Sequence, residues 1–176
     1  MRLCMFSPRE HRLERGWPGR IEGDRVIQLA AQTLQSFLTG GGAAREHAEY
    51  PLADVVFLAP VLHPPAVRIF DQSGDFVFAN PAAIQSADHE IGVPGAEPVE
   101  RVAAIIGAGG AIGGFTPLVE WFAPRLHGAK ARDFALSLGP VVTTPDEHTP
   151  PGVDWDRLVA TAAENTHLYP GDLLAV

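Results

Sequence analysis

The sequence predicts a β-rich α+β protein, and three observations carry that prediction. Short runs of β-branched and aromatic residues recur along the chain, and the 16 prolines and 18 glycines punctuate them at close intervals. Few segments hold apolar residues at helical spacing. The 176 residues are 46% hydrophobic, enough for a core in one domain or two small ones.

In chain order, "MRLCMF" predicts a first strand. "GRIEGDRVIQL" predicts two short strands around Glu22-Gly23-Asp24, with glycine at the turn. "AAQTLQSFLTGGG" predicts a helix that places Ala30, Leu34, Phe37 and Leu38 on one face and ends at Gly40 to Gly42. "ADVVFLAPVLHPP" predicts a strand that stops at prolines, and Pro60 to Pro65 marks a boundary between a small α/β unit (residues 1–62) and a β-rich remainder (63–176). Further strands are predicted in "DFVFANP", "VERVAAIIG", "SLGPVVTTP" and "GDLLAV". Helices are predicted in "PLVEWFAPRL", interrupted by Pro124, and in "VDWDRLVATAAEN" with Asp154 as N-cap. No internal repeat or low-complexity tract is present.

The formal net charge of −8 repels a phosphate backbone, so no nucleic-acid partner is expected. The single cysteine, Cys4, has no internal disulfide partner and suits a reducing compartment. The first residues are too charged for a signal peptide, and no apolar run is long enough to span a membrane. A cytoplasmic location without a membrane partner is the expectation.

The glycine-rich stretch from Gly107 to Gly114 invites a dinucleotide reading. That fingerprint needs a strand, G-x-G-x-x-G/A and then a helix whose N-terminal amides face the pyrophosphate. Here Ile112 holds the place of the third small residue, and Gly113, Gly114 and Pro117 interrupt the helix where it should begin. Binding of a nicotinamide dinucleotide through this loop is kept only as an alternative.

Six motifs in order resemble the fumarylacetoacetate hydrolase (FAH) family. "GRIEGDRVIQL" is similar to that family's N-terminal hairpin, and "LAPVLHPPAVRIF" to the start of its catalytic domain. "FVFANPAAI", "GGFTPLVEWFAPRL", "AKARDFALSLGPVVTTPDE" and "NTHLYPGDLLA" resemble its later motifs. The resemblance implies a β-sandwich roll behind a small α/β unit, shortened at the C-terminus, and commonly a homodimer. It also makes the glycine stretch a shortened connection between two strands. Because the sequence ends two residues after Leu174, one wall of the usual pocket is expected to be missing and a sheet edge to be open to another chain, a second copy or a full-length relative.

Enzymes of this family hold Mg²⁺ or Mn²⁺ on carboxylates, and the metal stabilises an enolate as a Lewis acid. The resemblance places the two E-x-E ligands at Val99 and Arg101 and the third at Glu120. Valine offers no oxygen, and a guanidinium about 4 Å from a divalent ion costs on the order of 8 kcal/mol at an effective dielectric of about 20. Glu100 could replace one ligand only if a slip or bulge turned it inward. The family's lysine corresponds to Arg132, which cannot release a proton but can hold an anion. The His and Glu of the family's lid have no counterpart in "VRIFDQSGDFVFANP".

The expectation is therefore an FAH-like protein without the usual metal-dependent C–C hydrolase activity: a pseudoenzyme, a partner subunit or a small-molecule binder, with no cofactor; a small acid is a candidate partner. The alternative is a reduced, metal-independent hydrolase, hydratase or decarboxylase acting on a 2-oxo or 1,3-dicarbonyl acid. In it Glu120 and Arg132 are catalytic, and Arg101 and Glu100 bind substrate.

Overall fold

In the computed structural model, which describes residues 1–176, thirteen strands share one sheet. They are β1 (Arg2–Pro8), β2 (Trp17–Glu22), β3 (Arg25–Leu29), β4 (Glu46–Pro51), β5 (Val55–Leu58), β6 (Val67–Phe70), β7 (Phe76–Ala79), β8 (Ile84–Ser86), β9 (Glu97–Ile106), β10 (Ile112–Phe122), β11 (Leu136–Leu138), β12 (Val141–Thr143) and β13 (Leu173–Ala175). Two α-helices, α1 (Leu34–Thr39) and α2 (Trp155–Ala163), complete the chain with four short 3₁₀ turns. The strand order is β4-β3-β2-β1-β12-β10-β9-β13-β6-β7, with β5 on β1, β11 on β10 and β8 on β11.

The N-terminal hairpin forms as predicted. Glu22 faces Arg25 across the turn, and Gly23 takes a φ of +57° that a side chain would resist. Phe6, Val26 and Val55 pack there, with Trp17 and Tyr50 edging onto the Phe6 ring. α1 is shorter than predicted. It starts after Thr33, whose hydroxyl accepts from the Ser36 amide, so Ala30 lies outside it. The sheet then continues through β1 and β12 into the β-rich remainder.

β9 and β10 are the long antiparallel pair that builds the rest. Successive side chains alternate between faces. On one face Ala103, Ile105 and Leu118 join Leu136, Leu138 and Leu173 in the main core. On the other, Ala104, Ile106 and Phe115 pack against Trp155 and Leu158 of α2. Asp154 caps α2 as predicted, its carboxylate accepting from the Arg157 amide at 3.1 Å.

Two expectations are corrected. "PLVEWFAPRL" is not a helix: residues to Phe122 extend β10, and Leu118 and Glu120 are buried in alternation with the more exposed Val119 and Trp121. Pro117 sits opposite Val102 in the strand, with its ring exposed. Cross-strand pairing over ten registered positions outweighs the weak local helical spacing. Nor is β13 an open edge, because it lies between β9 and β6. The two ends of the main strand path are β4 and β7, and β5 and β8 also pair on one side only.

A buried ion pair ties β6 to the turn before β13. Arg68 Nη1 donates to Asp172 Oδ2 at 3.2 Å, and the same oxygen accepts from the Tyr169 amide. Arg68 Nε and Asp172 Oδ1 have no partner. The Phe76 and Phe78 rings lie 5.7 and 5.2 Å from the Arg68 guanidinium carbon.

Candidate functional site

The glycine stretch is a connection, not a cradle. Gly107 to Ala111 turn the chain from β9 directly into its antiparallel neighbour β10, and the Gly107 amide donates to the Ala111 carbonyl at 2.7 Å. Gly109 and Gly110 have φ of +64° and +80° with no atom within 4 Å of an added Cβ, so backbone conformation alone selects glycine. A dinucleotide-binding turn would lead into a helix; this one leads into a strand.

Cross-strand register assembles the charged site. Leu118 faces Arg101 and Glu120 faces Val99. Side chains 99, 101, 118 and 120 thus share one face. Glu120 is buried to 1% exposure at the margin of the apolar core. A bare carboxylate there would be costly, so it requires cationic partners. Arg101 supplies Nε at 2.9 Å and Nη2 at 2.8 Å, both to Oε2. Arg132 supplies Nε at 3.2 Å to Oε1. It follows the 3₁₀ turn at residues 128–131, and its guanidinium carbon lies 6.0 Å from the centre of the Phe122 ring.

Arg101 and Arg132 also line a cavity of about 800 Å³. Phe70, Val153 and Leu158 form part of its apolar lining, and Asp71, Asp75 and Asp154 carry charge into it. That volume is in the range of small-molecule sites. Two guanidinium groups held in place by one carboxylate leave a single positive charge in excess. Their remaining N–H groups are suited to a carboxylate or enolate oxygen.

Of the residues expected from sequence, Glu120, Arg101 and Arg132 come together. Glu100 does not join them: it is exposed and pairs opposite Val119, on the other face of the hairpin. The one irregularity of β10 lies between Ile112 and Gly114, far from Glu100, so no bulge turns it inward. Lys130 is a surface residue paired with Asp133 at 2.8 Å. Asp71, Asp75 and Arg157 were not marked by any local motif. The β6–β7 turn and α2 meet only in the fold, where Arg157 Nη2 reaches the Ser73 carbonyl at 3.4 Å.

The donor set does not fit a divalent cation. Mg²⁺ and Mn²⁺ require several hard oxygen ligands. Beside Glu120 stand an aliphatic and a guanidinium side chain, and both Glu120 oxygens face guanidinium nitrogens. Nowhere do three His, Cys, Asp or Glu side chains group so as to hold an ion.

No protein-family model and no curated protein sequence matches the chain. Solved structures do. Maleylpyruvate hydrolase from Sphingobium sp. SYK-6 superposes with a TM-score of 0.79 at 21% identity, covering 99% of this chain and 87% of that one. The same enzyme in complex with manganese(II) and pyruvate gives 0.78 at 20%, with 99% and 87% covered. The 2-hydroxyhepta-2,4-diene-1,7-dioate isomerase of Mycobacterium marinum gives 0.77 at 19%, with 99% and 86% covered. The order and packing of this chain's strands are therefore those of the fumarylacetoacetate hydrolase fold.

Proposed function

We propose that this chain binds a small organic acid in the cavity beside Arg101 and Arg132, without the metal-dependent C–C hydrolysis of an intact FAH-type centre. The observation that carries this reading is the Arg101–Glu120–Arg132 cluster. It puts positive charge where an oxygen-rich ligand set would be needed for a metal. Arg101 and Arg132 are the anion-binding groups. Glu120 is a positioning residue, since it is almost fully buried and spends both oxygens on the arginines. The fold likeness to a hydrolase captured with pyruvate supports a 2-oxo acid as the ligand class. Association with a second copy belongs to the same reading; the uncharged edge strand β7, whose Phe78 is 68% exposed, supports it.

Titration calorimetry with pyruvate in EDTA-containing buffer tests the proposal. Saturable binding that Arg132→Ala weakens about tenfold or more is expected, that being the scale of one charge-assisted contact. Absence of binding by the folded protein would refute it.

A second reading is favoured by the same convergence of charge on one cavity: a metal-independent hydrolase or lyase on a 2-oxo or 1,3-dicarbonyl acid. Turnover of an acylpyruvate above the buffer rate, in EDTA and abolished by Arg132→Ala, is its required outcome. Rates equal to buffer eliminate it.

A further inference from the structure

The cavity is charged unequally along its lining. Arg101 and Arg132, set against Glu120, leave one positive charge in excess where β9 meets β10. The β6–β7 turn and the start of α2 contribute Asp71, Asp75 and Asp154 against one arginine, Arg157, leaving two negative charges in excess. No hydrogen bond or ion pair joins the two groups. The acidic group is fixed by local structure. Ser73 donates from its hydroxyl and its amide to Asp71 Oδ1 at 2.6 and 2.8 Å, and the Ser73 hydroxyl also reaches Asp75 Oδ2 at 3.3 Å. Asp154 is held by its capping bond to the Arg157 amide. The Arg157 guanidinium lies against Gly74 and is turned toward the Ser73 carbonyl, with no ion pair to any of the three aspartates.

We infer that the cavity selects acids with a single negative charge and rejects dianions of the same length. A 2-oxo acid docked with its carboxylate on Arg132 and Arg101 directs its tail along Phe70, Val153 and Leu158. An uncharged tail meets apolar surface there. A second terminal carboxylate is brought toward fixed aspartates that outnumber their one nearby cation, Arg157, and like charges in excess oppose binding. The hydrogen bonds from Ser73 hold the Asp71 carboxyl below the usual aspartate range, so that charge is present at neutral pH. The inference rests on the acid-binding reading above and assigns its specificity to Asp71, Asp75 and Asp154.

The test compares 2-oxohexanoate with 2-oxoadipate, six-carbon acids that differ by one terminal carboxylate, by calorimetry at low ionic strength in EDTA. The monoanion is expected to bind about tenfold more tightly. Raising the salt to about 0.5 M should narrow that gap, because exposed charges are screened. The Asp71→Asn/Asp154→Asn variant should narrow it too, and asparagine keeps the capping function at position 154. Equal or tighter binding of 2-oxoadipate by the unaltered protein overturns the inference and leaves the acid-binding reading standing. So does a gap that neither salt nor the variant changes. Binding of neither acid overturns both.

Discussion

Glu120 is the residue on which the site turns, and its energetics follow from burial. Removing one partner of a buried ion pair leaves a charge uncompensated and costs roughly 3–5 kcal/mol. Arg101→Ala is expected to lose somewhat less than that, because Arg132 still faces Glu120 Oε1, as measured by urea unfolding. Arg132 is 48% exposed on its side chain, so water replaces much of what it supplies. Arg132→Ala should lose under about 1 kcal/mol, the scale of exposed pairs. Arg101→Leu combined with Glu120→Leu should recover most of the first loss, since apolar replacement of both partners removes the desolvation cost. An additive loss in the double variant would contradict this. Cys4 makes a separate prediction. Burial pushes its thiol up to about 12, so the thiolate is scarce at neutral pH. Ellman's reagent at pH 8 should label it only after unfolding.

At the scale of elements, the β6–β7 turn is expected to respond to pH through Asp71. The Asp71 carboxyl is lowered below its ordinary 3.8, first by the Ser73 hydroxyl. A depressed carboxyl contributes stability that is present above the unfolded value and lost as pH falls through the folded one. NMR titration should place its midpoint below 3.8, and Ser73→Ala should raise it. The sequence carries some elements openly. The Gly23 hairpin and the Asp154 cap are local devices, and both form where their residues stand. β10 was hidden because its strand character comes from pairing with β9 rather than from its own spacing. Its alternation at Leu118 and Glu120 includes a buried glutamate, which reads as polar surface until Arg101 and Arg132 are seen around it. Arg101, Arg132 and Glu120 were legible as a group only through the family resemblance. That Asp71 and Asp75 share a cavity with Asp154 was not legible, because residues 76–154 separate the β6–β7 turn from α2.

For the whole molecule, one sheet sets what the chain can do. The β9–β10 register fixes Val99, Arg101 and Glu120 side by side, and the same register keeps Glu100 on the opposite face. The two ends of the main strand path differ in kind. β4 carries Glu46 and Glu49 in ion pairs with Arg20 and Arg25, whereas β7 is Phe-Val-Phe-Ala. Charge guards an edge and its absence invites pairing. Sedimentation equilibrium should find a dimer, and Phe78→Glu should shift it toward monomer; a monomer at all concentrations would end that part of the proposal. The most direct measurement is a calorimetric titration of Mn²⁺ into the unaltered protein and into Val99→Glu/Arg101→Glu. With a guanidinium beside the only available carboxylate, the unaltered protein should give no stoichiometric site, and the variant, which sets three carboxylates on one face, should gain one. A one-to-one site of micromolar affinity in the unaltered protein would contradict the proposed replacement of a metal centre by the arginine cluster.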